Sequence, residues 1–377
     1  MIFKPLINLK NQILTIKQQY LTYVCSFQLI HMKHKNNKGK TMNKFTKVGI
    51  TALAGSLASI AANAVEMSAA GSAKLTYTTA GPAEVTGNPM GMNTSISFSG
   101  SGEVNGYATT LVVTNSEANA GLSSAKLSVD LGDLGTVTFD QAVGVGGIST
   151  IDDKTPSANE EVWDGLNAVT NTSNGLVGGG NSGVLVFANT YSDMNLSVQV
   201  SKGSSVVSGD GVSAAGTASG TSWDFALTNQ TMMEGLDAGF GYGLISNGNQ
   251  SKAVGESGSH DSDEHIVVYA NYSMGMVTAG ITMSERNDRT SGGQDEHAEG
   301  FGVAVNVNDN LSISYGERDV DHINASAANV TENMDGMALA YTMGSAKITV
   351  QQNSTSNNGG TAGSNDEATE VALSLAF

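Results

Sequence analysis

The chain has 377 residues, of which only 14% are charged, and it combines 46 glycines with only 4 prolines. This composition is unlike that of a helical or α/β enzyme and favours many short strands and turns. The formal net charge of −17 is uneven: the first 64 residues hold nine lysines and no acid, which leaves the remainder at −26. Nucleic acid is therefore excluded as a partner, because phosphate contacts need Lys and Arg.

The N-terminal segment has the layout of an export signal. From Met42 a short basic stretch precedes an uncharged, mainly apolar run (48–61) and the small-x-small site Ala62-Asn63-Ala64. We therefore predict a secretory signal peptide over 42–64. The run is shorter than the ~20 apolar residues of a membrane-spanning helix. Residues 1–41 are more basic than a signal needs, and we predict that they are a non-native upstream extension.

The mature chain, 65–377, alternates apolar and polar residues with a period of two, which is typical of strands with unlike faces. Most predicted strands have about the 9–11 residues that a tilted strand needs to cross a bilayer. The sixteen predicted strands cover 66–79, 93–104, 106–116, 122–131, 134–140, 182–191, 193–202, 220–230, 234–246, 264–274, 275–286, 298–307, 308–319, 334–343, 344–353 and 367–377.

The connections alternate between tight turns and long Gly/Ser/Asn/Asp-rich loops. Turns such as Asn105-Gly106 and Asn308-Asp309 supply the residue types that hairpins require. Strict alternation places every short turn at one end of the sheet. A sandwich would bury the apolar face, but a closed barrel fits better, because a bilayer admits no free strand edge. We predict an all-β fold: a transmembrane antiparallel β-barrel of about 16 strands with a water-filled interior.

Aromatic residues support a membrane location. They cluster beside the short-turn end, where a girdle at one membrane interface is expected. The residues are Tyr107, Tyr191, Tyr272, Tyr341 and Phe377.

Two stretches carry a family resemblance. The segment from Leu131 to Leu166, "LGDLGTVTFDQAVGVGGISTIDDKTPSANEEVWDGL", and the terminal "LSLAF" resemble the Gram-negative outer-membrane general porins of the alphaproteobacterial, 16-stranded type. The resemblance implies a homotrimer in the outer membrane, in contact with lipids and lipopolysaccharide. It also implies that the outer-membrane assembly machinery reads Phe377 and that the long third loop folds into the lumen.

That loop, residues 141–181, has a net charge of −4. On an inward loop, carboxylates attract cations and repel anions. We therefore predict an acidic pore constriction and a cation preference for the small hydrophilic solutes that pass. Trp163 is expected either to anchor the loop on the inner wall or to lie at a subunit contact. The predicted constriction acids are Asp152, Asp153, Glu160, Glu161 and Asp164, and the basic counter-wall is Lys74, Lys126 and Lys347, with Arg286 and Arg318 nearer strand ends.

The sequence gives only weak signals for functions other than a channel. The four histidines of the mature chain each adjoin an acid, and we expect solvated loop residues rather than the catalytic pair of a barrel hydrolase. No cofactor is expected. The "HDSDEH" stretch offers a weak site for structural Ca²⁺ or Mg²⁺ at Asp261, Asp263 and Glu264. A non-channel barrel that acts as an adhesin or structural surface protein remains the alternative.

Overall fold

The computed structural model describes residues 66–81, 87–116, 122–141, 146–167, 169–170, 175–176, 183–202, 221–245, 262–288, 293–324 and 328–377. The chain divides into two units, Met1–Ala62 and Asn63–Phe377, and every described residue belongs to the second. The predicted upstream extension and signal peptide therefore lie outside the described residues. Within the described ranges, no helix has the length and apolar character needed to cross a membrane.

Sixteen antiparallel strands form one closed barrel in which each strand pairs with its neighbours in the chain and the first pairs with the last. This confirms the predicted all-β fold, a closed antiparallel barrel of sixteen strands. The strands are β1 (Glu66–Ala80), β2 (Met90–Val104), β3 (Tyr107–Ser116), β4 (Leu122–Asp130), β5 (Thr136–Asp140), β6 (Val184–Tyr191), β7 (Met194–Lys202), β8 (Thr221–Asn229), β9 (Leu236–Ile245), β10 (Asp263–Met274), β11 (Val277–Asn287), β12 (Gln294–Asn306), β13 (Leu311–Asn324), β14 (Val330–Met343), β15 (Ala346–Ser356) and β16 (Asn365–Ala376).

Most strand ends lie within a few residues of the prediction, and the largest differences occur in β12, β13 and β14 at the long-loop end. There β13 continues to Asn324 and β14 begins at Val330. Most of the extra residues are polar or charged, and they occur on both faces, so the apolar alternation that marks a strand is weakened. The backbone ladder continues because each of these strands has a paired neighbour on both sides.

The two faces of the wall differ as the period of two predicts. Along β14, Met337, Leu339 and Tyr341 are exposed on the outside, whereas Ala338 and Ala340 between them are buried on the inside. The predicted girdle residues at the short-turn end are also exposed. The barrel therefore presents an apolar belt outward, and its buried apolar clusters lie on the inner side of the wall.

Candidate functional site

The described part of the loop between β5 and β6 follows the inner wall of the barrel. Near its start, Gly147 N–H donates to Ser197 Oγ on β7 (2.9 Å). Further on, Ala158 N–H donates to Ser314 Oγ on β13 (2.9 Å). Asn167 N–H then donates to Asp366 Oδ2 on β16 (2.7 Å). All three partner side chains are at inward-facing positions of their strands. This part of the loop therefore lies inside the barrel.

Side-chain amides of the wall hold the loop by its backbone carbonyls. Asn271 Nδ2 donates to Lys154 O (2.7 Å), and Gln351 Nε2 donates to Glu161 O (2.7 Å). Asn353 Nδ2 donates to Asp164 O (2.8 Å). These contacts use the loop backbone and leave the acidic side chains available to the lumen.

Inward glycines make room for the loop. A Cβ added at Gly302 would lie 2.6 Å from Pro156 O, and one at Gly316 would lie 2.9 Å from Val162 Cγ1. At Gly241 it would lie 2.8 Å from Ile148 Cγ1. We call Gly241, Gly302 and Gly316 the glycine groove. Because these strands carry no inward side chain at those positions, the loop packs directly against the backbone of the wall.

Trp163 anchors the loop to the inner wall, which is one of the two predicted roles for this residue. Its side chain packs against the buried cluster of Ala298, Val320 and Met334. The guanidinium of Arg318 lies 4.4 Å from the centre of the indole ring. Arg318 Nη1 also donates to Thr170 O (2.8 Å). Arg318 is 6% exposed and is therefore part of the packing between loop and wall rather than a base facing the pore.

The acids of the loop are crowded into a confined space. Glu160 is exposed, whereas Asp152 and Glu161 are half-buried. Burial, followed by repulsion from Asp153, raises the pKa of Asp152 to about 7. The same two causes raise the pKa of Glu161 to about 7. Burial and repulsion from Glu160 also raise the pKa of Asp164.

The three lysines predicted to form a counter-wall have different surroundings. Lys74 Nζ on β1 lies 2.8 Å from Glu370 Oε1 on β16. Lys347 Nζ donates to Asn159 Oδ1 on the loop itself (3.3 Å), so it stands beside the loop. Lys126 on β4 faces inward directly opposite Asp140 on β5.

Arg286 is held within the wall of the barrel. It donates to both carboxylate oxygens of Glu296 and lies 3.8 Å from Asp263 Oδ2. Its charge is therefore balanced by neighbouring strands.

The structure does not bring the two described residues of the predicted metal site together. Asp263 and Glu264 are neighbours on β10, so their side chains point to opposite faces of the wall. Asp263 is buried on the inside near Arg286, whereas Glu264 accepts a hydrogen bond from Tyr242 Oη (2.8 Å). Asp261 lies outside the described residues. Nowhere in the described ranges do three or more His, Cys, Asp or Glu residues form a group that could hold a metal ion.

The expectation of solvated histidines is wrong for two of the four. His265 on β10 and His322 on β13 are each 2% exposed. His265 Nδ1 accepts the Gly175 N–H (3.2 Å), and His322 Nε2 lies 3.2 Å from Glu332 Oε2. Both residues lie near the long-loop ends of their strands, next to the loop between β5 and β6. Their inward parity is a signal of burial that sequence reasoning missed.

Solved structures match the chain, although no protein-family model and no curated protein does. The trimer form of in-vitro folded OmpT, an outer membrane protein of Vibrio cholerae, aligns with a TM-score of 0.59 at 12% identity over 83% of this chain and 100% of that chain. The anion-selective porin from Comamonas acidovorans aligns with a TM-score of 0.57 at 12% identity, with the same coverage. At these identities the likeness establishes the fold.

Proposed function

We propose that the chain is an outer-membrane porin of a Gram-negative bacterium, a water-filled channel for the passive diffusion of ions and small hydrophilic solutes. The observation that carries this proposal is an acidic loop held inside a closed barrel with an apolar outer belt. A closed barrel satisfies the backbone hydrogen bonds of every strand within the bilayer. Sixteen strands enclose more space than side chains fill, so an aqueous channel remains beside the loop.

We further propose that the constriction prefers cations. The loop contributes Asp152, Asp153, Glu160, Glu161 and Asp164. The basic charge near it is partly balanced by neighbouring acids, as for Lys74 beside Glu370. The fold does not determine selectivity, since the Comamonas acidovorans porin is described as anion-selective. The charge of the constriction therefore carries this part of the proposal.

The proposed partners follow from the same barrel. The outer belt would contact membrane lipids and lipopolysaccharide. In the described parts of β1 to β6, every outward residue is uncharged, which suits either lipid or a second copy of the chain. A homotrimer is proposed because the Vibrio cholerae neighbour is described in a trimer form. Phe377 would serve the assembly machinery as the C-terminal signal.

Conductance in a planar bilayer tests the function. The mature protein is expected to insert in discrete conducting steps, and a salt gradient should produce a reversal potential that indicates cation preference. An anion-selective channel would retain the porin proposal and contradict the acidic constriction. Folded, heat-modifiable protein that does not conduct would contradict the channel and favour an adhesive or structural barrel.

A further inference from the structure

One buried carboxylate on the wall meets the loop at two separate points. Asp224 on β8 is 0% exposed. Its Oδ1 accepts the Ile148 N–H near the start of the loop (3.0 Å). Its Oδ2 accepts the Leu176 N–H from the returning part of the loop (2.8 Å). The two ends of the loop are therefore joined through a single side chain.

A glycine precedes each of the two amides. Gly147 has φ of 56° and Gly175 has φ of 63°, values that L side chains rarely adopt. A Cβ at either glycine would collide with the carboxylate of Asp224. Both glycines therefore allow the following N–H to turn toward the same acceptor at close range.

Asp224 has a third hydrogen-bond donor and lies between two buried apolar clusters. Gln199 Nε2 donates to Asp224 Oδ2 (2.9 Å), and Gln199 is itself 0% exposed. Ile148 belongs to one buried apolar cluster of the inner wall and Leu176 to another. The carboxylate thus accepts three N–H donors between two apolar clusters, where an unsatisfied donor would be costly.

We propose that Asp224 is the positioning residue of the constriction: by accepting Ile148 N–H and Leu176 N–H together, it determines how far the acidic loop projects into the pore. This inference rests on the proposed porin function and adds to it the residue that sets the loop. A carboxylate is needed because it accepts with both oxygens, whereas the amide of Asn offers one acceptor oxygen and an NH₂ group that repels a facing donor.

Single-channel recording of Asp224→Asn tests the inference. The expected result is a conductance distribution with sub-levels and open-channel noise that the unaltered protein does not show, because one end of the loop loses its acceptor. The barrel itself should remain heat-modifiable. The double variant Gln199→Glu/Asp224→Asn returns a carboxylate to the neighbouring position and should recover part of the single-level behaviour.

Asp130→Asn is the matched control. Asp130 faces inward on β4 at the short-turn end, and its Oδ1 accepts the Gly132 N–H (2.8 Å). This variant removes the same charge from the barrel interior without touching the described loop, and its current should keep a single level.

Three outcomes separate the possibilities. If Asp224→Asn shows the single conductance level and the permeability ratio of the unaltered protein, the positioning role is overturned, whatever happens to heat stability. If that variant does not fold, Gly175→Ala tests the same contact at one end of the loop. Sub-levels would then support the inference, and unaltered currents would overturn it. If the unaltered protein does not conduct, the proposed function is contradicted, and the inference, which rests on it, is contradicted as well.

Discussion

Gly71 and Phe377 exchange both of their backbone hydrogen bonds across the seam that closes the barrel. Gly71 N–H donates to Phe377 O (2.7 Å), and Phe377 N–H donates to Gly71 O (2.9 Å). The phenyl ring lies over Gly71, where a Cβ would collide with it. Phe377 is therefore a paired member of the wall, and the residue is 78% exposed.

Two changes at Phe377 separate pairing from recognition. Deletion of Phe377 should remove both hydrogen bonds, each with a net contribution of about 1 kcal/mol, together with the aromatic ring. Phe377→Ala should keep the backbone pair and lose only the ring. If the ring is the assembly signal, both variants should lower the heat-modifiable fraction in the outer membrane, and Phe377→Tyr should not. Normal assembly of Phe377→Ala would contradict that role.

Glu160 is an exposed acid of the loop, and replacing it tests the charge of the constriction. Glu160→Gln keeps the shape of the side chain and removes its charge. A unit charge about 6 Å from a passing ion contributes roughly 0.7 kcal/mol in water, favourable for a cation and unfavourable for an anion, so the cation-to-anion permeability ratio should fall roughly tenfold. The reversal potential under a salt gradient measures this ratio. Asp133→Asn, in the turn after β4, is the control and should leave the ratio unchanged.

The pair of Lys74 and Glu370 predicts changes of opposite sign. Lys74→Gln leaves an unbalanced carboxylate at the seam and should raise cation preference. Glu370→Gln leaves an unbalanced ammonium and should lower it. The double variant should return close to the original permeability ratio, because the pair has no net charge. A ratio that changes in the same direction in both single variants would show that the pair does not face the permeating ions.

The raised pKa values of Asp152 and Glu161 predict a dependence on pH. Both carboxyl groups have pKa values of about 7, so they are mostly ionised one unit above that pH and mostly neutral one unit below it. Lowering the pH through this range should therefore remove negative charge from the constriction and reduce cation preference. The double variant Asp152→Asn/Glu161→Gln should have a much smaller dependence over the same range. An equal dependence would assign the effect to other groups.

The glycine groove predicts a steric effect on conductance. Gly302→Val places a branched side chain where Thr155 and Pro156 lie, and overpacking of this kind typically costs ~1–3 kcal/mol. The loop should move into the lumen, and single-channel conductance should fall. Ala279→Val adds bulk on the outward face of β11 and should leave conductance unchanged. An unaltered conductance in Gly302→Val would show that the loop does not bear on this part of the wall.

The barrel itself was predictable because its signals are local. The period of two determines which side chains face outward, and outward Met337, Leu339 and Tyr341 follow from it. Turn chemistry at Asn105-Gly106 determines one hairpin, and Asn105 has the positive φ of 53° that such turns use. The strand prediction was least accurate where polar residues occur on both faces, as at the long-loop ends of β12 to β14. The alternation of apolar and polar residues that marks a strand is weak there.

The constriction depended on the tertiary structure. The loop's acids were identifiable from their number and from the family resemblance, but their neighbours were not. Lys347 lies beside the loop, Arg318 stacks on Trp163, and Asp224 meets Ile148, which lies 76 positions away in the chain. Such contacts join residues that only closure of the barrel brings together. The sequence by itself therefore determined the strands, their faces and the acidic character of the loop. The folded wall alone decided where that loop lies, because its backbone is held by inward side chains from β7 to β16.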